Sequence, residues 1–434
     1  MQSPEQLQSI HHSLWKLALP VILSNISVPL LGLVDTAILG HLPESHYLAA
    51  VAMGSSLLVM VMWSFSFLRM GTTALVAQNY KQSVEVSGIL QSALLLAIVI
   101  GGSLMLTSSF LIDFMVGVVG AAESITPFAK EYLTIRFYFA PVTLVNYVLL
   151  GYFIGKGLTY INLILLVSTN LLNGLLNYIF VYKFNWFSAG VAWGSNFAEL
   201  FQLCLSLFFI KETLIQSQAW PLMCQRFQQF MAFNYQLFIR TFLLLFSFAF
   251  FMAQGAQHSA ALLSANAILI NLLMFMSNAL DGFAVASESL VGQSIADKNT
   301  KRLKPIILAS GFWSLVTAII LTIILAISHL SIFTLLTSQD EVLGLLELLS
   351  YWLIFLPIAG FASYWLDGIY IGLANAKEMK NSLIIATLFV FLPLVYLFDT
   401  WEYHGLWLAM YAFLLTRAIW LVCRLPHNLI KIAN

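Results

Sequence analysis

The sequence predicts an all-α polytopic membrane protein, with twelve transmembrane helices in two pseudo-symmetric six-helix lobes. Three observations carry that expectation. Of 434 residues, 60% are hydrophobic and only 9% are charged, whereas soluble domains carry about 25% charged residues. The apolar residues gather into long stretches, each near the roughly 20 residues a helix needs to cross the hydrocarbon. The chain also matches itself at a shift of about 215 residues.

The apolar stretches fall roughly at 17–40, 47–76, 88–111, 127–150, 160–182, 189–210, 234–256, 260–290, 305–328, 344–367, 381–399 and 405–424. The second and eighth exceed a straight crossing, so they are expected to tilt or to run past the membrane. The first is too long for a signal-peptide core and lacks a cleavage site, so it is expected to be retained.

Lys and Arg set the orientation. With the N-terminus in the cytoplasm, the inner segments hold Lys16, Lys81, Lys156, Lys211, Arg226, Lys298, Lys301, Arg302, Lys304, Lys377, Lys380, Arg424 and Lys431, and the outer segments only Lys130 and Lys183. Both termini are therefore expected inside, in a multi-pass protein of the cytoplasmic (inner) membrane.

The self-similarity is local but ordered. "TTALVAQ", ending at Gln78, matches "SESLVGQ", ending at Gln293. "LLGYFIGKG" matches "LDGIYIGLA", with Gly151 over Gly368 and Gly155 over Gly372. Six spans per half make the halves cross in the same sense, a parallel repeat of the kind found in transporters. The expected organisation is a lobe over 1–210, a cytoplasmic linker over 211–233 containing "QAWPLMCQRFQQ", and a lobe over 234–434.

Enzyme signatures are absent: no HExxH, P-loop, GxSxG or paired CxxC occurs. Cys204, Cys224 and Cys423 are too widely spaced for a metal or disulfide pattern. The expectation is a protein that is not an enzyme, holds no metal or cofactor, binds no nucleic acid and works as a monomer in the bilayer on small organic molecules.

The informative residues are polar ones in apolar spans. In "LLGLVDTAILGHL" Asp35 stands alone. A carboxylate at the centre of a lipid-buried helix costs on the order of 3 kcal/mol. Either it sits near water or it faces a cavity and functions there. Pro29, six residues earlier, is a candidate helix-bending position. A carboxyl that bends with its helix is a natural proton or cation coupling site.

In "NLLNGLLNYIF", Asn173 and Asn177 are spaced i, i+4 on one helix face, able to bond Asp35, hold a cation, or tie helices together. Asn170 precedes them, and Ser195 and Asn146 on neighbouring spans could join the same cluster. Arg69, Asp281 and Asp367 form a candidate inner gate, although these charges and Glu288 could equally position helices at the inner interface. Snorkelling is the default expectation for Arg136, Arg240 and Arg417. Met53, Met60, Met62, Phe65, Phe67, Phe137 and Tyr138 could line an adaptable pocket, with ordinary packing the commoner role.

Several of these stretches together, "SLWKLALPVILSNISVPLLGLVDTAILGHL", "FLRMGTTALVAQ", "NLLNGLLNYIFVY", "LDGFAVASESLVGQSIADKN" and "LDGIYIGLANAKEMKNS", resemble the multidrug and toxic compound extrusion (MATE) family, in its DinF-like branch. The resemblance covers nearly the whole chain. It implies two six-helix lobes in a V shape and export of lipophilic or cationic organic compounds against protons or sodium. It places the essential carboxylate of the first helix at Asp35 and implies that this helix bends on protonation. Many relatives carry an Asp where this chain has Asn177, which argues against a two-carboxylate Na⁺ site. Ser195 stands where relatives carry a hydroxyl.

The expected function is thus a secondary active, proton-coupled multidrug antiporter working by alternating access. Na⁺ coupling and a lipid-linked saccharide flippase of the same superfamily are the alternatives within transporters. A flippase would need Arg69, Arg136, Arg240 and Arg417 to build a basic cavity. A membrane enzyme or receptor is the alternative outside them.

Overall fold

The computed structural model describes residues 4–42, 44–120, 122–214 and 219–433, and no strand occurs among them. Seventeen α-helices follow in order. In the first half these are α1 (Pro4–Gly40), α2 (Ser45–Trp63), α3 (Phe67–Gln78), α4 (Ser83–Leu106), α5 (Ser108–Val119), α6 (Thr126–Tyr138), α7 (Ala140–Gly155), α8 (Thr159–Tyr182) and α9 (Phe187–Leu214). In the second half they are α10 (Ala219–His258), α11 (Ala260–Ala296), α12 (Leu303–Leu336), α13 (Asp340–Leu348), α14 (Ser350–Gly372), α15 (Ala376–Ile384), α16 (Leu392–Leu397) and α17 (Glu402–Ala433).

Eleven helical stretches are long and apolar enough to cross a membrane, and the bent pair α6–α7 makes a twelfth. They coincide with the twelve stretches expected from hydropathy. Three details differ. The over-long second stretch is two helices, α2 and α3, separated at residues 64–66, whereas the eighth is the single helix α11. The fourth bends by 53° between α6 and α7, where Pro141 has no N–H for the carbonyl four residues back. The eleventh passes through a π-helical segment, Ile385–Phe391, just before Pro393.

By internal contacts the chain forms two compact units, Leu23–Ala232 and Met1–Ile22 with Phe233–Asn434. The start of α1 belongs with the second: Trp15 packs edge-on against Phe283 and Trp313, each at 5.1 Å between ring centroids. Residues 215–218 of the expected linker lie outside the described residues, and α10 begins within it at Ala219.

The repeat is visible inside each unit. In the first, α7 lies so close to α3 that a Cβ on Gly151 would stand 2.4 Å from the Arg69 carbonyl oxygen, and one on Gly155 2.8 Å from that of Thr73. In the second, α14 meets α11 the same way: a Cβ on Gly368 would stand 2.3 Å from the Ala284 carbonyl oxygen, and one on Gly372 2.8 Å from that of Glu288. Only hydrogen fits at such approaches, and small residues are how membrane helices pack backbone to backbone. The same helices then end on matching left-handed caps at Gly157 (φ 74°) and Ala374 (φ 51°). An aromatic core closes the second unit. Trp407, fully buried, packs on Phe251 and donates from Nε1 to Asn266 Oδ1 at 3.1 Å.

Candidate functional site

α1 and α8 are joined by three polar contacts spaced along their length. Asn170 Nδ2 donates to Ser27 Oγ at 2.9 Å, Asn177 Nδ2 to Asp35 Oδ1 at 2.6 Å, and Tyr182 Oη to the Ile38 carbonyl at 2.7 Å. Asp35 is half-buried and both amides beneath it are buried. The i, i+4 spacing on α8 brings Asn173 and Asn177 to one face, as expected.

From Asp35 a polar chain runs inward. Asn177 Nδ2 also donates to Asn173 Oδ1 at 2.6 Å, Asn173 Nδ2 to Ser195 Oγ at 3.0 Å, and Ser195 Oγ to the Val191 carbonyl at 2.9 Å. Both N–H groups of Asn177 are therefore committed, while its buried Oδ1 has no hydrogen-bond partner. That oxygen lies against Gly194, where a Cβ would stand only 2.0 Å away. The chain links α1, α8 and α9 and can do one thing directly: report the charge of the Asp35 carboxyl to two further helices.

Asn146 belongs to a neighbouring network. Its Nδ2 donates to the Glu199 carbonyl at 2.9 Å, one turn along α9 from Ser195. The Glu199 side chain holds Arg136 Nη2 at 2.6 Å and accepts a short hydrogen bond from Thr143. Arg136 does not snorkel: it is paired inside the unit, with 10% side-chain exposure. Depth along a helix is not legible in a single sequence, so the default failed there. Glu199, in "NFAELF", carries the same signal in the sequence that flags Asp35, an isolated carboxylate in an apolar span.

The other two intramembrane arginines do not snorkel either. Arg240 and Arg417 both donate to Asp367 Oδ2, Arg417 at 2.7 Å, and all three side chains are buried. Asp367 is thus committed within its own unit. Of the other candidate gate residues, Arg69 lies on α3 in the first unit and Asp281 on α11 in the second. Pro29 falls within α1, which is continuous from Pro4 to Gly40. Its side chain lies outside the described residues. Met62, Phe67 and Phe137 are buried in packing, while Met60 and Tyr138 are exposed. Among the described residues no cluster of three or more His, Cys, Asp and Glu side chains could hold a metal.

Two helical units built from about twelve membrane-length apolar helices, one with a polar chain sunk in it, define a multi-pass membrane protein. The MatE family model matches residues 20–179 and 235–397, one match in each half. The chain is 35% identical over 424 residues to DNA damage-inducible protein F of Escherichia coli (strain K12), covering 95% of this chain and 91% of that one. It is 24% identical over 419 residues to Protein DETOXIFICATION 44, chloroplastic, of Arabidopsis thaliana, covering 93% and 80%. Among solved structures it is similar to the Vibrio cholerae MATE transporter VcmN in the bent form, with TM-score 0.86, 16% identity and coverage of 99% and 98%. The chain belongs to the MatE family, whose members are transporters rather than enzymes.

Proposed function

We propose that the protein exports small lipophilic or cationic organic compounds in exchange for protons, with Asp35 as the coupling acid. The observation that carries this is the state of Asn177, with both N–H groups committed and its carbonyl oxygen unpartnered. An ionised Asp35 accepts from that amide. A protonated Asp35 becomes a donor and needs an acceptor. Its remaining carbonyl oxygen still accepts from Asn177, but that bond loses its charge assistance, and the new O–H draws the amide to turn, offer Oδ1 and withdraw its N–H from Asn173. One proton thereby disturbs α1, α8 and, through Ser195, α9. A charge-assisted hydrogen bond is worth about 1.5–3 kcal/mol, so its loss is enough to shift a conformational balance tenfold or more.

In this reading the outward-facing transporter takes a proton at Asp35, reshapes the outer part of α1 near Pro29 and expels its substrate. It then turns inward, releases the proton and reloads. One charge crossing 100 mV supplies about 2.3 kcal/mol. Both termini lie in the cytoplasm, the membrane is the inner one, and the protein acts as a monomer. Protons are favoured over Na⁺ because Asn177 presents N–H groups, not a second carboxylate, to Asp35, and a bound Na⁺ needs oxygen ligands. The flippase alternative is weakened at Arg136, Arg240 and Arg417, whose side chains are turned into ion pairs with Glu199 and Asp367.

The test is transport in proteoliposomes under separately imposed proton and sodium gradients. Asp35→Asn is expected to fold and to lose proton-driven efflux. Full proton-driven transport by that variant refutes the assignment.

A further inference from the structure

The Leu23–Ala232 unit also carries a recess that shares no residue with the polar chain of Asp35. It opens where α1 gives way to α2, where α6 begins and where α8 turns into α9, on the face expected to lie outside. The recess measures about 250 Å³ and is lined by the rings of Tyr47, Phe128, Trp186 and Phe187 together with Glu131 and Ser188. Tyr47 stacks on Phe187 with ring centroids 4.5 Å apart and meets Phe128 edge-on at 4.9 Å. Phe128 stacks in turn on His46 at 4.6 Å, and His46 Nε2 stands 3.2 Å from Glu44 Oε2.

Aromatic rings are common at a membrane interface, where they need no ligand. Three features set these apart. Glu131, exposed in the second turn of α6, forms no ion pair among the described residues, whereas its neighbour Lys130 is held by Asp113 at 2.5 Å. Ser188 is fully buried, yet its Oγ has no hydrogen-bond partner, and an unmet buried hydroxyl is costly. The turn from α8 to α9 also places Asn185 (φ 56°) and Phe187 (φ 44°) in the left-handed region. Asparagine tolerates that conformation, but a bulky ring rarely adopts it. Strain of this kind persists only where the surroundings enforce it, and it gathers at ligand sites.

We propose that this recess binds an alkylammonium group. Ring faces carry negative partial charge and attract a cation within about 6 Å of their centroids. The Glu131 carboxylate adds a full negative charge at the rim, so an anion is repelled. A metal ion needs several oxygen ligands, and the walls are mostly carbon. The carbon groups around a substituted nitrogen suit those walls. Size narrows the ligand further. Pockets for drug-sized molecules measure about 300–1,000 Å³, so this one takes a headgroup of choline size, not a complete drug. Such a group comes from a soluble organic cation or from the headgroup of an outer-leaflet phospholipid. The inference stands apart from the coupling role of Asp35.

The test is saturation-transfer NMR of choline with the purified full-length protein in an uncharged detergent. The control probe is the neutral carbon analogue of choline, with a tert-butyl group in place of the trimethylammonium. Choline is expected to bind, and the neutral analogue to bind about tenfold more weakly. Glu131→Gln is expected to weaken choline about two- to fivefold and to leave the neutral analogue unchanged. Tyr47→Leu is expected to weaken choline by about the same factor. Unchanged choline binding in folded Glu131→Gln overturns the inference. Equal binding of the two probes, or none of either, reduces the rings to an interfacial belt and overturns it too. Asp35→Asn is expected to bind choline as the wild type does; loss of binding there places the ligand at the polar chain and refutes a separate site. Where Tyr47→Leu fails to fold, Glu131→Gln, at an exposed position, decides. Added phosphatidylethanolamine that displaces choline identifies a lipid headgroup as the ligand, and choline binding unmoved by it identifies a soluble cation.

Discussion

Placing a methyl group at Gly151 tests the packing that positions α7 and, through it, Asn146 and Thr143. The added Cβ would stand 2.4 Å from the Arg69 carbonyl oxygen and 3.1 Å from both its Cα and its carbonyl carbon. Carbon–oxygen contacts between packed helices settle at about 3.3 Å or more, so α7 and α3 must part by about 1 Å. Every atom along that seam then loses a quarter to a half of its contact well, by about the same separation. Overpacking of this kind costs about 1–3 kcal/mol. Alanine returns up to about 1 kcal/mol over glycine through helix propensity. Because the clashing atoms are backbone and cannot rotate away, the loss exceeds the gain. The expected net effect is a destabilisation of about 1–2 kcal/mol. Gly368→Ala, which meets the Ala284 carbonyl oxygen at 2.3 Å, is expected to behave alike. Gly102→Ala is the control, since nothing lies within 4 Å of its added Cβ. Thermal unfolding in detergent, with light scattering to report aggregation, compares the three. Unchanged midpoints in Gly151→Ala and Gly368→Ala would refute the argument that these glycines are selected by contact.

Two further substitutions follow from the site and the buried charges. Asp367→Asn removes the carboxylate that Arg240 and Arg417 share and breaks a buried ion cluster; a loss of about 3–5 kcal/mol is expected, read as reduced yield and an early thermal transition. Asn177→Leu deletes the amide that joins Asp35 to Asn173 while keeping similar volume. Its expected signature is a folded protein with at least a tenfold drop in proton-driven efflux, measured in the same proteoliposomes as Asp35→Asn, and wild-type rates there would remove Asn177 from the coupling path.

Much of the architecture could be read from the sequence because a bilayer permits few solutions. Backbone groups must be satisfied within each span, so apolar length alone locates the helices. The glycines aligned across the repeat proved to be the positions where α7 meets α3 and α14 meets α11. Asp35, Asn173, Asn177 and Ser195 were found together because isolated polar side chains in apolar helices are expensive and conspicuous. The break at residues 64–66 was hidden, since no proline or charge marks it. The pairing of Arg136, Arg240 and Arg417 was hidden for another reason: a long cationic side chain can reach the interface from many depths, and only three-dimensional neighbours show that it does not. Glu199 is legible by the same rule as Asp35, a single carboxylate within an apolar stretch. The packing of Trp15 on Phe283 and Trp313 joins residues far apart in the chain, which no local pattern encodes.

The two halves share one scaffold, down to the left-handed residue that closes α7 and α14, yet their polar contents have diverged. In the Leu23–Ala232 unit the acid of α1 is held by a neutral amide; in the other, the acid of α14 sits between two permanent cations. The two frames match, and on the proposed reading their charges have unequal duties, one changing state and one fixed. Lesions at matching depths in the two copies should therefore yield different defects, impaired energy use in the first and failure to assemble in the second.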